Sequence, residues 1–387
     1  MTKNKKIMIV AGEISGDLYG YPLVREILQA RGDLDVFGVG GPRMKSTGMQ
    51  IFYDSSSWGT IGLVEALKKF PYLYCVYNDM ARKLRQIKPD LLVLIDYPGF
   101  NMRLCRYAKK LGIPTLYYFP PSKWTSNPAD VSDAARNITK VAAPFRHTAE
   151  IYRKAGANVE FVSNPLLEIV KPSAGVSELR KRFSIPDGSR VVTLMPGSRF
   201  MEVKYMLPIL VDSAAIMAKK MPDATFIMPI SSSTVSKGTG ITMEYIKNWI
   251  AASGSQIKIE LDATYDILSI SDFAIITSGT ATLEAACLGV PMIIAYKVSL
   301  LTELFARSFT PLPKYFGLPN LILNKAIVPE FIQKNVSAEI IAGATMEILN
   351  SSEKLADMKS GLGEVVKNLG DSGATSRVAD LILKMIG

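Results

Sequence analysis

Short apolar segments alternate with longer amphipathic segments along the whole chain. The apolar segments of the first half are KIMIV, DVFGV, LLVLI and TLYYF, and those of the second half are VVTLM, TFIMPI, IKIEL, FAIIT and PMIIAY. The segments between them carry apolar residues at helical spacing, as in PLVREILQARG and LPILVDSAAIMAKKM. Because parallel strands need long crossover connections, this alternation predicts an α/β fold with parallel sheets covered by helices.

The two series of strands are separated by an irregular stretch, VSNPLLEIVKPSAG, at residues 162–175. The chain has 387 residues, which is too long for one ordinary core. We therefore predict two doubly wound, Rossmann-like domains that face a cleft, one at residues 1–165 and one at residues 176–365. Residues 366–387 contain a glycine break followed by a final amphipathic helix.

Composition excludes several classes of protein. With 48% hydrophobic and 21% charged residues, the chain can bury a large interior and is not a disordered tail. A single histidine excludes a multi-histidine metal cage. The three cysteines, Cys75, Cys105 and Cys287, are scattered and form no CxxC motif, which favours a reducing cytoplasm.

The net charge of +10 favours an anionic partner, but it does not choose among nucleic acid, phospholipid and a phosphorylated substrate. No uncharged stretch of about 20 residues is apolar enough to cross a bilayer. The sequence therefore predicts a soluble or peripheral protein.

The loop after the first strand has the sequence AGEISGD. Loops at the carboxyl ends of parallel strands line the binding cleft, so chemistry is expected there. Gly12 and Gly16 permit a tight turn, and Ser15 or Asp17 is suited to cap the following helix. Glu13 is costly to keep near a core unless it contacts a partner, which favours a functional role over a plain turn. The loop lacks GxGxxG and does not indicate a dinucleotide site.

The strand LLVLI ends at Asp96, which is followed by the turn YPGFN. A carboxylate at the end of a buried strand is suited to act as a general base, and Pro98 and Gly99 restrict the turn that orients it. The competing interpretation is that Asp96 caps the next helix. Asn101 suits that role better, which leaves Asp96 available for chemistry.

A glycine-rich loop, GVGGPRM, follows the second strand. It would admit a phosphate with Arg43 as the counter-charge, although a simple loop explains it nearly as well. The pair Asp33 and Asp35 resembles a metal-binding DxD motif, but it precedes its strand and so lies at the wrong edge of the sheet. We predict no metal site.

Two helix starts in the second half are suited to bind phosphate. The first follows VVTLM and reads PGSRFME, and the second follows FAIIT and reads SGTATLE. The Gly-Ser turn of the first is expected to present unpaired amides beside the positive charge of Arg199. In the second, hydroxyls and amides suit a diphosphate and Glu284 suits ribose hydroxyls, although a capping box is the alternative. Since no GxxxxGK[ST] occurs, the pair indicates a nucleotide-diphosphate site that is not a P-loop.

The segment from Trp58 to Tyr74 has more apolar and aromatic residues than one buried face requires, and it includes Lys68 and Lys69. Such a segment is suited to lie in a membrane surface with its lysines at anionic headgroups. An interdomain or dimer interface explains it equally well. The predicted membrane contacts are Trp58, Leu63, Phe70, Tyr72 and Leu73.

Together these motifs resemble the lipid-A-disaccharide synthases, a family of GT-B glycosyltransferases. The resemblance extends nearly end to end and rests on AGEISGD, GVGGPRM, GLVEAL, PDLLVLIDYPGFN, PSKW, MPGSR, TSGTATLEAACLGVPMIIAYK, LPNLILN and VPEFIQ. It implies a GT-B fold whose C-terminal half binds a UDP-linked acylated sugar donor. The N-terminal half would bind a lipid-linked phosphorylated acceptor, and the final helix would return to the first domain.

The resemblance also implies roles for individual residues. The functionally important carboxylates of the family fall on Glu13 and Asp96, which we predict as catalytic without deciding which is the base. The predicted donor-binding residues are Gly197, Ser198, Arg199, Glu202, Ser278, Gly279, Thr280, Ala281, Thr282, Glu284, Asn320, Glu330 and Gln333. The predicted acceptor-binding residues are Ser15, Asp17, Arg43, Asn101 and Trp124.

Three positions depart from the family pattern. Gly99 stands where IDxPDFN has its second aspartate, Lys123 interrupts a PSVWAW segment, and Asn164 stands where a histidine is frequent. Because these positions lie in the acceptor half or at the junction, the resemblance predicts the donor chemistry more firmly than the acceptor.

The expected reaction is an inverting transfer of 2,3-diacylglucosamine from its UDP carrier to 2,3-diacylglucosamine 1-phosphate, with no metal and no cofactor. The product would be the β-1,6-linked disaccharide of lipid A. The alternatives are a related glycosyltransferase with another membrane lipid acceptor, a UDP-sugar epimerase, and a nucleic-acid-binding module. The last lacks an RRM, KH or helix-turn-helix signature. We expect a cytoplasmic protein, peripheral on the anionic inner face of the cytoplasmic membrane, with no nucleic acid partner; a homodimer is left open.

Overall fold

The computed structural model describes residues 4–59, 63–121, 128–235, 240–299, 303 and 314–387. The chain forms two compact units. The first contains Met1–Thr60, Val64–Glu168 and Leu369–Gly387, and the second consists mainly of Ile169–Asn368.

The first unit is built on a seven-stranded, fully parallel sheet with the strand order β3-β2-β1-β4-β5-β6-β7. Its strands are β1 (Lys5–Ala11), β2 (Leu34–Gly40), β3 (Gln50–Asp54), β4 (Leu91–Ile95), β5 (Thr115–Tyr118), β6 (Lys140–Ala143) and β7 (Val159–Phe161). Every residue of β4 is buried, as expected of a central strand covered by helices on both faces.

Helices connect these strands in sequence. They are α1 (Glu13–Ala30), α2 (Pro42–Lys45), α3 (Leu63–Ile87), α4 (Pro98–Lys110), α5 (Pro128–Asn137), α6 (Arg146–Lys154) and α7 (Leu166–Ile169). Because β1 and β4 are neighbours in the sheet, the loops that follow them lie side by side at its carboxyl edge.

The second unit has a six-stranded parallel sheet with the order β10-β9-β8-β11-β12-β13. Its strands are β8 (Val191–Met195), β9 (Thr225–Ile230), β10 (Ile257–Leu261), β11 (Phe273–Thr277), β12 (Met292–Tyr296) and β13 (Glu330–Ile332). Its described helices are α8 (Val176–Arg182), α9 (Phe200–Lys220), α10 (Met243–Ser253), α11 (Thr264–Ser269), α12 (Ala281–Cys287), α13 (Leu318–Leu323), α14 (Ala338–Leu349) and α15 (Ser352–Asn368).

The last helix, α16 (Ala374–Ile386), belongs to the first unit and packs against α1. Its first turn is held by Glu168, whose carboxylate accepts hydrogen bonds from the backbone N–H groups of Gly373 and Ala374. The backbone N–H of Asn164 also donates to the carbonyl of Leu369, at 2.9 Å. A carboxylate at a helix N-terminus is stabilised by the unpaired amides there.

The α/β prediction is confirmed, and all nine predicted strands are present. Four further strands, β3, β6, β7 and β13, were not predicted because they are short and carry few apolar residues in a row. None of the described helices is both long and apolar enough to span a bilayer.

Candidate active site

Asp96 and Tyr97 form a left-handed turn directly after β4. Their φ angles are 54° and 49°, a region that residues other than glycine seldom adopt. Strained backbone of this kind persists only where the surrounding structure enforces it, and it clusters at functional sites. The turn brings Asp96 beside α1, where the hydroxyl of Ser15 donates to Asp96 Oδ2 at 3.2 Å.

Two buried side chains hold the carbonyl oxygen of Asp96. Asn101 Nδ2 and the hydroxyl of Tyr117 both donate to it, each at 2.8 Å. Asn101 also donates to the carbonyls of Ile95 and Val10, at 3.2 Å each. The predictions that Asn101 caps α4 and binds the acceptor are therefore wrong, because its side chain is fully buried and ties the ends of β1 and β4 together.

Glu13 begins α1 and also has a left-handed backbone, with a φ of 62°. The positive charge close to Glu13 is that of Lys69 on α3, which sequence reasoning missed. The ammonium of Lys69 donates to the carbonyl of Ser57. Burial lowers the pKa of Lys69, and the negative charge of Glu13 acts in the opposite direction. Lys69 was assigned only to the membrane segment, since nothing in the sequence relates α3 to the loop after β1.

Asp17 has a structural role that was not predicted. Its carboxylate is buried and accepts from the backbone N–H groups of Gly41 and Met44 at 2.9 Å and of Arg43 at 3.1 Å. It therefore caps α2, whereas the prediction placed it at the start of α1 or in contact with the acceptor. The side chain of Arg43 is exposed on α2, so its predicted contact with the acceptor remains a prediction.

The predicted membrane contacts divide into buried and exposed side chains. Trp58 is only 1% exposed and packs against the rings of Tyr97 and Phe100, so its assignment to a membrane surface is wrong. Leu73 is half-buried against the core. The large apolar side chains of α3 that are exposed in the described part are Leu67, Phe70, Tyr72 and Tyr74, of which Leu67 and Tyr74 were not predicted. The side chain of Leu63 and the whole of Trp124 lie outside the described residues.

In the second unit, the turn after β8 does not present the unpaired amides that were predicted. Glu202, on the first turn of α9, accepts from the backbone N–H groups of Ser198 at 2.9 Å and Arg199 at 3.2 Å. Gly197 has a φ of 105°, and a Cβ at this position would lie 2.5 Å from Glu202 Oε2. Glu202 is buried, so it closes this turn from within the protein and its predicted direct contact with the donor is corrected.

The guanidinium of Arg199 is the positively charged group of this turn, and its predicted contact with the donor remains a prediction. Arg199 Nη1 lies 3.1 Å from Glu202 Oε1, and about a third of the arginine side chain is exposed. Tyr296, at the end of β12, lies near the charges of Glu202 and Arg199. Burial raises the pKa of its hydroxyl to about 12. The negative charge of Glu202 adds to this increase, and the positive charge of Arg199 opposes it. The sequence indicates for Tyr296 only a place in the strand PMIIAY.

Among the described residues, the loop after β11 has two backbone donors without an acceptor. Ser278 Oγ donates to the carbonyl of Phe316 at 2.9 Å, and Thr282 Oγ1 donates to that of Gly279 at 2.8 Å, so both hydroxyls already have acceptors. The backbone N–H groups of Gly279 and Thr280 have no hydrogen-bond partner among the described residues. The loop therefore offers amides to an anion, next to the start of α12 at Ala281.

Glu284 lies one turn into α12. The hydroxyl of Tyr265 is 3.4 Å from Glu284 Oε1. The carboxylate is only partly buried, which leaves its predicted contact with ribose as a prediction. Burial, with a smaller contribution from Glu284, raises the pKa of the Cys287 thiol to about 12.

Asn320 and Glu330 hold the loop that precedes α13. Glu330 accepts from the backbone N–H groups of Phe316 at 2.7 Å and Gly317 at 2.9 Å, and from Asn320 Nδ2 at 2.7 Å. Asn320 Oδ1 in turn accepts from the backbone N–H of Val328 at 2.9 Å. Since Asn320 is buried and its amide is used within the protein, its predicted contact with the donor is corrected to a supporting role.

Gln333 follows β13 in a left-handed conformation, with a φ of 55°. Its Oε1 accepts from the backbone N–H of Val298 at 2.7 Å, and its Nε2 donates to Glu303. Because β8, β11 and β13 run parallel in one sheet, the predicted donor residues that follow these strands lie at the same edge of the sheet. Asn320 lies instead on α13, and Glu330 is the first residue of β13. Within the described ranges, no three His, Cys, Asp or Glu side chains are grouped as a metal site requires.

A protein-family model described as lipid-A-disaccharide synthetase matches residues 7–384. The chain belongs to this family. Lipid-A-disaccharide synthases of Geobacter metallireducens and Geobacter sulfurreducens are both 38% identical to it, over 384 and 389 residues. These matches cover 99% and 100% of this chain and 98% and 99% of the relatives. The predicted family and glycosyltransferase activity are confirmed.

Solved structures with the same fold are more distant in sequence. A UDP-GlcNAc 2-epimerase from Neisseria meningitidis, bound to UDP-GlcNAc, has a TM-score of 0.65 at 14% identity and covers 98% of this chain and 100% of its own. MurG of Acinetobacter baumannii has a TM-score of 0.56 at 15% identity and covers 98% and 99%. This likeness shows the fold alone, a two-domain Rossmann-like GT-B fold, as predicted.

Two of the departures from the lipid-A-disaccharide synthase pattern lie in the described part of the chain. Gly99 is exposed on the first turn of α4, and a Cβ there would meet no atom within 4 Å. Packing therefore does not exclude the aspartate of the family pattern at this position. Asn164 is buried, and its Oδ1 accepts from the backbone N–H of Leu166 at 3.0 Å. Lys123 lies outside the described residues.

Proposed function

We propose that this member of the lipid-A-disaccharide synthase family transfers 2,3-diacylglucosamine from UDP to the 6-hydroxyl of 2,3-diacylglucosamine 1-phosphate. The transfer inverts the donor linkage from α to β and uses no metal ion. Structural neighbours that were solved with UDP or UDP-GlcNAc support a UDP-sugar donor. The family membership supports this enzyme over an epimerase and over a nucleic-acid-binding module.

The observation that carries the mechanism is the enforced turn at Asp96. A single inverting displacement needs a base at the acceptor hydroxyl. Asp96 removes the proton from the acceptor hydroxyl while the oxygen of that hydroxyl bonds to the anomeric carbon of the donor. The bond between the anomeric carbon and UDP breaks in the same step. Ser15 orients the carboxylate through its hydrogen bond to Oδ2. Glu13 is the orienting partner or the substitute base.

Charge on the departing diphosphate is stabilised by groups of the second unit. The electron pair of the broken bond remains on UDP. Positively charged groups or hydrogen-bond donors must therefore lie close to its phosphates. Because Glu202 occupies the amides of Ser198 and Arg199, this role rests on the Arg199 guanidinium and on the backbone N–H groups of Gly279 and Thr280.

The decisive variant is Asp96→Asn, which keeps the size of the side chain and removes the base. We expect turnover to fall by roughly 10²–10⁴-fold, with UDP affinity by titration calorimetry unchanged. Asp90→Asn is the matched control, because Asp90 precedes the same strand and its Oδ2 accepts from the backbone N–H of Lys6 at 2.8 Å. Equal losses of turnover and UDP affinity in Asp96→Asn would show a structural role and contradict the mechanism.

A second candidate is a related glycosyltransferase with another membrane lipid as acceptor. It is favoured by the open position at Gly99, where the family pattern has a carboxylate. The purified enzyme, supplied with UDP-2,3-diacylglucosamine and a panel of lipid acceptors, distinguishes the two candidates by mass spectrometry of the products. Product formed only on acceptors other than 2,3-diacylglucosamine 1-phosphate would replace the first candidate with the second.

The acylated substrates also require access to lipid. We propose that the protein binds the anionic inner face of the cytoplasmic membrane through the exposed apolar residues of α3, next to Lys68. These side chains include Leu67 at 64% exposure and Phe70 at 53%. The alternative occupant of this surface is a second copy of the chain.

A further inference from the structure

The Asp96–Tyr97 turn requires an explanation for its stability. Two consecutive residues with side chains adopt left-handed backbone angles there, and neither is glycine. The backbone N–H of Asp96 still pairs with the carbonyl of Tyr118 at 3.0 Å, so the strand remains in register up to the turn. The groups that enforce the turn must therefore contact the carbonyl of Asp96 or the residues that follow it in the chain.

The Asp96 carbonyl is the point at which the buried core meets the turn. Tyr117, on the neighbouring strand β5, is fully buried and donates its hydroxyl to this oxygen at 2.8 Å. Burial, with the charge of Asp96 as a second cause, holds the pKa of Tyr117 well above its ordinary value. Its hydroxyl therefore remains a donor over the whole range in which a carboxylate base works.

We infer that Tyr117 is a positioning residue for the transfer reaction. By fixing the Asp96 carbonyl, its hydroxyl sets the direction in which the Asp96 carboxylate leaves the turn toward Ser15. Tyr117 is fully buried and acts through Asp96, so the inference rests on the proposed role of Asp96 as the base. A base that is misplaced by a small distance loses much of its contribution to the rate.

The substitution Tyr117→Phe tests this inference because it removes only the hydroxyl. The ring still fills the core, and Asn101 still donates to the Asp96 carbonyl, so the fold is retained. We expect kcat to fall by roughly 10- to 100-fold, while the KM for the donor and the affinity for UDP stay unchanged.

Tyr53→Phe is the matched control, since it removes a hydroxyl in the same unit that donates to Asp79 Oδ2 at 2.8 Å. If Tyr117→Phe has the same kcat as this control, the inference is wrong. It is also wrong if Tyr117→Phe loses UDP affinity by the same factor as kcat. Measuring Asp96→Asn in the same assay separates the two proposals. If Asp96→Asn retains activity, the proposed role of Asp96 as the base fails. If Asp96→Asn is inactive and Tyr117→Phe is normal, only the role of Tyr117 fails.

Discussion

The side chain of Tyr97 lies directly against the backbone of Gly12. A Cβ at position 12 would fall 2.3 Å from both Cβ and Cγ of Tyr97, which is far inside van der Waals contact. The loops after β1 and β4 are thus fitted together through a contact that only glycine permits. Glu13 is carried by one of these loops and Asp96 by the other.

Replacing Gly12 with alanine should disturb both loops at once. The added methyl group must push Tyr97 away, and overpacking of this kind costs about 1–3 kcal/mol. We expect a lower unfolding temperature and a loss of turnover, measured by thermal denaturation and by product formation. Gly343→Ala is the control, because a Cβ there meets nothing within 4 Å. Full activity in Gly12→Ala would mean that the Tyr97 contact is irrelevant to the site.

The substitution Arg199→Ala should weaken binding of UDP. A hydrogen bond to a charged group contributes about 1.5–3 kcal/mol, which corresponds to a decrease in affinity of roughly 10- to 150-fold. Titration calorimetry with UDP measures it directly. Arg182→Ala removes an exposed arginine of the same unit that pairs with Glu178 and Asp266, and it should leave the affinity unchanged. The assignment of Arg199 to the diphosphate fails if its variant binds UDP as tightly as this control.

The second unit shows where sequence reasoning about a site reaches its limit. The motif PGSR correctly indicated a turn that opens a helix, but its amides are occupied by Glu202. A glutamate at the third position of a helix is half of a capping box, and Arg199 at the N-cap hid the signal because serine or threonine is usual there. Which partner satisfies a donor depends on side-chain geometry that spacing alone does not specify.

The cysteines should differ strongly in reactivity. Burial raises the pKa of Cys105 to about 11 and that of Cys287 to about 12, whereas Cys75 is exposed on α3. Since the thiolate is the reactive form, a disulfide reagent at about pH 8 should modify one of the three thiols rapidly. The variant Cys75→Ser should abolish this fast phase. Rapid reaction of two thiols in the native protein would contradict the burial of the others.

The same burial has a consequence for stability at high pH. Above the ordinary thiol pKa of about 9, the unfolded chain loses a proton that Cys105 retains in the folded state until about pH 11. The free energy of unfolding should therefore fall as the pH rises through this window. In Cys105→Ala the free energy of unfolding should fall less between about pH 9 and pH 11 than in the unaltered protein. Thermal unfolding at several pH values would measure this difference.

Removing the exposed apolar residues of α3 should release the protein from anionic liposomes. Leu67, Phe70 and Tyr74 are each more than half exposed, and an apolar side chain gains about 1.5–3 kcal/mol when it leaves water. Replacing all three with serine should lower binding by roughly 100-fold or more in a sedimentation assay.

The matched control for this surface is the double variant Trp249→Ser and Ile340→Ser, which removes exposed apolar residues of the second unit. It should sediment with liposomes as the unaltered protein does. If the triple variant keeps its liposome binding but changes from a dimer to a monomer in solution, the surface is a dimer interface and the membrane proposal fails.

The sequence predicted the fold better than the roles of individual polar residues. Apolar strands such as LLVLI are recognisable in the sequence because parallel strands are buried on both faces. The strands β7 and β13 have three residues each, which is too short for an apolar pattern to be recognised. Asp17 and Trp58 were misassigned for a related reason. Their positions beside loops suggested contact with ligand or membrane, but long-range packing against α2 and against Tyr97 buries them.

The chain order of the first unit has a consequence for biosynthesis. The face of α1 that packs against α16 cannot be covered by this helix until residues 374–386 have been translated, although α1 precedes them in the chain. The second unit, which lies between these two helices in the chain, has its whole sequence available earlier. The packing of the N-terminal unit around α1 is therefore completed by a helix that is translated only after the whole sequence of the second unit.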